Sequence, residues 1–142
     1  MSRIFHLEIL SPDRSFYVGD CVSITVPLHD GLYGIMAGHV PLTAAIVPGE
    51  VAFKTPDGEI SICSVSQGMI DVENNTVKLL CETVLRPEEI NETAEKLAAE
   101  KAMEEMRGKQ SYKDYMLSQV LFARAVNNLR VKKHDAAKIN HQ

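Results

Sequence analysis

Proline and glycine stop abruptly part-way along this chain of 142 residues. All 6 prolines lie at or before Pro87, and 7 of the 8 glycines lie at or before Gly68, with only Gly108 beyond. These residues punctuate short elements and interrupt long helices. Residues 1–85 can therefore hold many short strands, and residues 86–142 can hold long helices. Charge changes at the same seam. Residues 1–85 carry 4 Lys/Arg against 10 Asp/Glu, whereas residues 86–142 carry 11 against 9. Two domains are expected, 1–85 and 86–142.

The first domain reads as sheet. In Ile4–Leu10, Phe5, Leu7 and Ile9 alternate with His6 and Glu8. Cys21–Val26 places Val22, Ile24 and Val26 on one face, and Thr76–Val84 sets Val77, Leu79 and Cys81 opposite Lys78 and Glu82. Leu42–Val47, Val51–Lys54, Ile60–Val65 and Met69–Glu73 lie between turn signals such as Pro48-Gly49, Pro56-Asp57-Gly58 and Asn74-Asn75. Proline presets φ in such turns, and Gly and Asn accept positive φ. Short strands with frequent turns predict a sandwich or barrel.

The second domain reads as a helical hairpin. Pro87 suits a first helical turn, and Glu88, Glu89 and Glu92 complement the helix dipole. Ile90, Ala94, Leu97, Ala98, Ala102 and Met106 follow the 3.6-residue period as far as Gly108. A second helix is predicted from Ser111 to about Lys133, with Tyr115, Met116, Val120, Phe122, Val126 and Leu129 on its apolar face and Ala123 and Ala125 toward the first helix. Charge is sorted between them. Residues 86–105 carry 3 Lys/Arg against 7 Asp/Glu, and residues 106–142 carry 8 against 2. A closed hairpin attracts itself, and an opened one offers a basic helix to acidic partners. Small residues bury little area, so the pair belongs at the low-stability end of the molecule.

Several functions are excluded by pattern. A sequence pI of about 5.7 is far from the basic character of a nucleic-acid module. No apolar run approaches a membrane span, and the N-terminus resembles no targeting segment. Cys21, Cys63 and Cys81 are an odd set in apolar surroundings, which predicts buried thiols in a cytoplasmic protein. No catalytic or metal-binding motif occurs, so no catalytic residue, metal or cofactor is assigned.

The densest signal is the segment from Asp30 to Leu42, three glycines and a proline among Leu32, Tyr33, Ile35 and Met36. It predicts a glycine-shaped apolar loop, either a connection between sheets or a protein interface. Gly31-x-x-Gly34-Ile35-x-x-Gly38-His39-x-Pro41-Leu42 resembles the signature of the epsilon subunit of bacterial F-type ATP synthases. The stretches Phe5–Ile9 and Val65–Val72, together with the hairpin, extend the likeness over almost the whole chain.

The resemblance implies an N-terminal antiparallel β-sandwich followed by a C-terminal α-helical hairpin. It implies a non-catalytic central-stalk subunit that couples proton translocation to ATP synthesis and restrains ATP hydrolysis, on the cytoplasmic face of the inner membrane. Asp30, Gly31, Leu32, Tyr33, Gly34, Ile35, Met36, Gly38, His39, Pro41 and Leu42 would face the gamma subunit and the c-subunit ring. Arg124, Arg130, Lys132 and Lys133 would form a regulatory basic helix reaching the beta and alpha subunits, with Gly108 as hinge. Two positions depart from the family pattern. Leu32 stands where many members are acidic, and Ile90–Glu95 has Asn91 and Ala94 where an ATP-binding motif has Asp and Arg. The alternative function is a nucleotide-binding β-sandwich with a helical lid.

Overall fold

The computed structural model describes residues 3–108 and 111–140. The chain divides into two compact units, Met1–Leu85 and Arg86–Gln142. The first holds ten strands: β1 Phe5–Ser11, β2 Arg14–Cys21, β3 Ser23–Leu28, β4 Gly31–Met36, β5 Leu42–Ile46, β6 Gly49–Lys54, β7 Ile60–Val65, β8 Gly68–Glu73, β9 Thr76–Cys81 and β10 Val84–Leu85. Their order is β10-β7-β6-β3-β5-β8-β9-β1-β2, with β4 also paired to β3. This curled sheet is a near-barrel sandwich around one core. Pairing is antiparallel except between β1 and β9, which run parallel.

Alternation builds that core. Phe5, Leu7 and Ile9 of β1 are buried together with Val77, Leu79 and Cys81 of β9. Ile24 and Val26 join them from β3, and Val51 and Phe53 from β6. All three cysteines are free and buried. Burial pushes the Cys81 thiol up to about 12. Gly68 marks the closest backbone approach, because an added Cβ would stand 2.2 Å from the Leu80 carbonyl oxygen.

Two expectations here are corrected. Cys21 closes β2 rather than opening the next strand, and the chain bends at Val22, which is only half-buried. Strand β2 itself was not foreseen. It is an edge strand with one fully buried residue, Cys21, so it lacks a clean alternation.

In the second unit Pro87–Glu89 forms a 3-10 turn. Helices α1 Glu92–Arg107 and α2 Tyr112–Asn140 follow. The predicted helix from Pro87 is thus broken at Ile90-Asn91. Asn91 caps α1 by accepting from the Ala94 N–H at 3.0 Å, and such a cap outcompetes helix continuation. Helix α2 runs past the predicted end at Lys133, because Ala136 and Ala137 favour helix and no Gly or Pro stops it. The contact stripe of α1 is also rotated from the predicted one. Ala102 is buried and Glu95, Ala99 and Met106 are half-buried, while Ala94, Leu97 and Ala98 are exposed.

Candidate docking surface

The glycine-rich segment is not one loop. Its first half is strand β4, which pairs along β3 from Leu28↔Gly31 to Ser23↔Met36. Gly31, at φ 124, makes the turn that starts it. Strand alternation then sorts the segment. Ile35 lies opposite Ile24 and is 1% exposed, so it is a core residue and not a contact residue. Tyr33 occupies the same face at the rim. Leu32, Gly34 and Met36 occupy the other face, where Leu32 is 73% and Met36 68% exposed. Nothing lies within 4 Å of a Cβ placed on Gly34, whose φ is ordinary. Neither conformation nor internal packing demands glycine there.

After Met36 the chain turns through Ala37-Gly38 and runs to Pro41 before β5 begins. Val40 is 70% exposed, whereas Leu42 is half-buried and packs partly against the core. His39 is held at both ring nitrogens. Its Nδ1 lies 2.6 Å from the Val40 carbonyl oxygen, which can only accept, so Nδ1 carries the proton. Nε2 then accepts from the Tyr33 hydroxyl at 2.7 Å. The two rings meet edge-on, with centroids 5.6 Å apart. Asp30 is exposed in the turn ahead of β4, and Pro41 is exposed ahead of β5.

A second apolar patch escaped sequence reasoning. Pairing aligns Ala45, Met69, Leu80 and Leu10 across β5, β8, β9 and β1. Met69 and Leu80 are each 56% exposed. One row along, Thr43, Asp71, Lys78 and Glu8 form a polar border. Thr43 Oγ1 donates to Asp71 at 3.1 Å, and Lys78 lies 3.9 Å from Glu8. The available signal was an apolar residue on the outward parity of its strand, as Leu80 is between Leu79 and Cys81.

The proposed basic set divides within the second unit. The Arg124 side chain lines a cleft of about 330 Å³ between α1 and α2, with Glu95, Lys101, Glu105 and Leu121. Lys132 Nζ donates to the Pro87 carbonyl at 3.1 Å, whereas Arg130 and Lys133 are exposed. Buried Ser118 donates to Glu105 Oε2 at 3.2 Å and ties the helices together. Gly108 ends α1 at φ −74 and ψ 166, with its N–H on the Glu105 carbonyl. Any L-residue adopts that backbone, so a left-handed cap is not its role. In Ile90–Glu95, Asn91 spends its side-chain oxygen on the cap and Ala94 offers no phosphate donor. Among the described residues no helix is long and apolar enough to cross a membrane.

Residues 4–87 match the family profile described as ATP synthase, Delta/Epsilon chain, beta-sandwich domain. The chain is 34% identical over 131 residues to an ATP synthase epsilon chain of Caldanaerobacter subterraneus subsp. tengcongensis, which covers 92% of this chain and 95% of that one. It is 31% identical to an ATP synthase epsilon chain of Nitrosococcus oceani, covering 92% and 93%. In fold it is similar to a chain of the Euglena gracilis mitochondrial ATP synthase OSCP/F1/c-ring structure. That match has a TM-score of 0.76 at 18% identity, over 89% of this chain and 79% of that one.

Proposed function

This chain belongs to the ATP synthase epsilon chain family, and from that premise we propose that it is a non-catalytic rotor subunit of an F-type ATP synthase. In this reading the sandwich docks on the gamma subunit and the c-subunit ring. The hairpin restrains ATP hydrolysis by opening and carrying α2 toward the beta and alpha subunits. The subunit would then lie on the cytoplasmic face of the inner membrane, held there through the complex.

The observation that carries the docking role is the exposure of Leu32 and Met36 on one face of β4 and of Val40 just after it, each 68–73% exposed. Apolar surface of this kind is covered most favourably by a protein partner. These three side chains are uncharged, so contact with the ring would be apolar at Leu32 and not ionic. Co-purification with the gamma subunit tests this. The unchanged chain should be retained, and the combined substitution L32S/M36S/V40S should weaken retention by at least about tenfold. Equal retention would overturn the docking role.

The regulatory role draws on geometry in the second unit. The 29 residues of α2, at about 1.5 Å each, give an arm of roughly 43 Å. In the closed hairpin Arg130 and Lys133 are exposed, while Lys132 is engaged by Pro87. Replacing Arg130 and Lys133 by Gln should relieve inhibition and leave hairpin stability unchanged. Replacing Lys132 should also loosen the hairpin. Unchanged hydrolysis in both variants would contradict the assignment. The nucleotide-binding alternative would place its ligand in the cleft between the helices, where Glu95 and Glu105 offset Lys101 and Arg124. Calorimetric titration with ATP separates the two readings.

A further inference from the structure

Segments far apart in sequence meet at one side chain on the sandwich rim. Asn75 lies in the β8–β9 turn at φ 58, next to Asn74 at φ 50. Positive φ at both central positions suits a two-residue hairpin, and Asn and Gly accept it most readily. Backbone geometry alone would therefore be satisfied by glycine. The Asn75 amide group does more than the turn requires. Its Nδ2 donates to the Ile4 carbonyl at 2.9 Å, and its Oδ1 accepts from the Gly38 N–H at 2.9 Å. Its own carbonyl accepts from the His6 N–H at 3.1 Å.

Gly38 is the point where the chain leaves β4. Its φ is 79, and a Cβ there would stand 2.8 Å from Arg3 Nη2. The backbone thus turns under the Arg3 side chain with its N–H aimed at Asn75. The next residue, His39, is pinned between Tyr33 and the Val40 carbonyl. The direction of the chain at Gly38 decides where this pair and Val40 stand.

We infer that Asn75 is a positioning residue for the docking segment: by accepting the Gly38 N–H while anchored to Ile4, it fixes the path of residues 38–41 and the presentation of Val40 and His39. This inference rests on the docking reading above. A segment held in place before contact loses less conformational freedom on binding, so the effect appears as affinity.

The test uses the full chain with the gamma subunit and two substitutions. N75G keeps the turn and removes both side-chain bonds. N75D keeps an oxygen for Gly38 and loses the donor to Ile4. In N75G the Gly38 amide should exchange about tenfold faster, and gamma affinity should fall about tenfold. Its melting temperature should move by no more than about 4 °C. In N75D an unprotonated oxygen faces the Ile4 carbonyl where the donor stood, so Gly38 protection and affinity should fall between those of N75G and the unchanged chain. Unchanged Gly38 exchange in N75G, unchanged affinity in N75G, or an N75D as weak as N75G would each overturn the inference. If N75G does not fold, N75D against the unchanged chain still decides: its Gly38 protection and its gamma affinity should both be reduced, and either one unchanged would overturn the inference. L32S/M36S/V40S serves as the control. If it binds weakly while N75G binds fully, the role of Asn75 alone falls. If it binds fully, the docking reading falls and this inference with it.

Discussion

The two units put different residue types to opposite ends. The sandwich buries large side chains, Leu7, Ile9, Ile24, Ile70 and Leu79 among them, all 0–1% exposed. Two of its glycines are locked by close approach, Gly68 against Leu80 and Gly49 against Pro27. The second unit buries two large aliphatic side chains, Val131 and Ile90, and otherwise small or polar ones, Ala102, Ala125, Ser118, Asn127 and Asn128 among them. Alanines contribute little area at roughly 25 cal/mol per Å². Polar contacts such as Ser118 to Glu105 and Lys132 to Pro87 can be exchanged for water at small net cost. On the proposed function, the docking surface is carried on the large-residue core, and the element proposed to open is closed by replaceable contacts.

One substitution made in both units breaks this contrast most sharply if it is wrong. Gly68→Ala should cost about 3 kcal/mol or more, the upper end of overpacking effects, because its Cβ would meet backbone at 2.2 Å. Urea melts monitored in the sandwich measure it. The next effect belongs to the sandwich alone. Cys81 ionises near 9 when unfolded and at about 12 when folded. Between those values only the unfolded state loses the proton. Stability from this group is therefore intact below pH 9 and falls by about 1.4 kcal/mol per unit up to pH 12. Cys81→Ala should remove that part of the slope in melts taken across this range. In the hairpin, Asn91→Ala should cost about 1 kcal/mol by loss of the cap. Hydrogen exchange should quicken at the start of α1 and stay unchanged in the strands. The smallest effect is Gly108→Ala. With φ −74 and the nearest atom to its Cβ at 3.6 Å, it should be neutral or stabilise by about 0.5 kcal/mol. A cost of 1 kcal/mol or more there would return Gly108 to a backbone role.

Sequence reasoning succeeded where one face alone is buried. Phe5, Leu7 and Ile9, or Val77, Leu79 and Cys81, state their parity directly, because a sheet with one wet face imposes a period of two. It failed at the edges. Strand β4 exposes all but Ile35, so its glycines looked like a loop and its register could come only from pairing with β3. That is also why Ile35 was assigned to the surface with Leu32 and Met36. The row of Met69 and Leu80 needed the alignment of several strands before it became a patch. Asn75 was recognised as a turn residue, but its bonds to Ile4 and Gly38 join positions 71 and 37 residues away. In the hairpin the helical period was visible, but alanine-rich faces do not announce which side is covered. Helix α1 accordingly turned its contact stripe to Glu95, Ala99, Ala102 and Met106.

The division of labour between the units meets its most direct test in ATP hydrolysis by the assembled complex. The full chain would be compared with one lacking residues 88–142, with gamma retention measured on the same samples. The shortened chain should still assemble with gamma, and hydrolysis should rise severalfold. Loss of gamma binding on truncation, or hydrolysis unchanged with assembly intact, would contradict it.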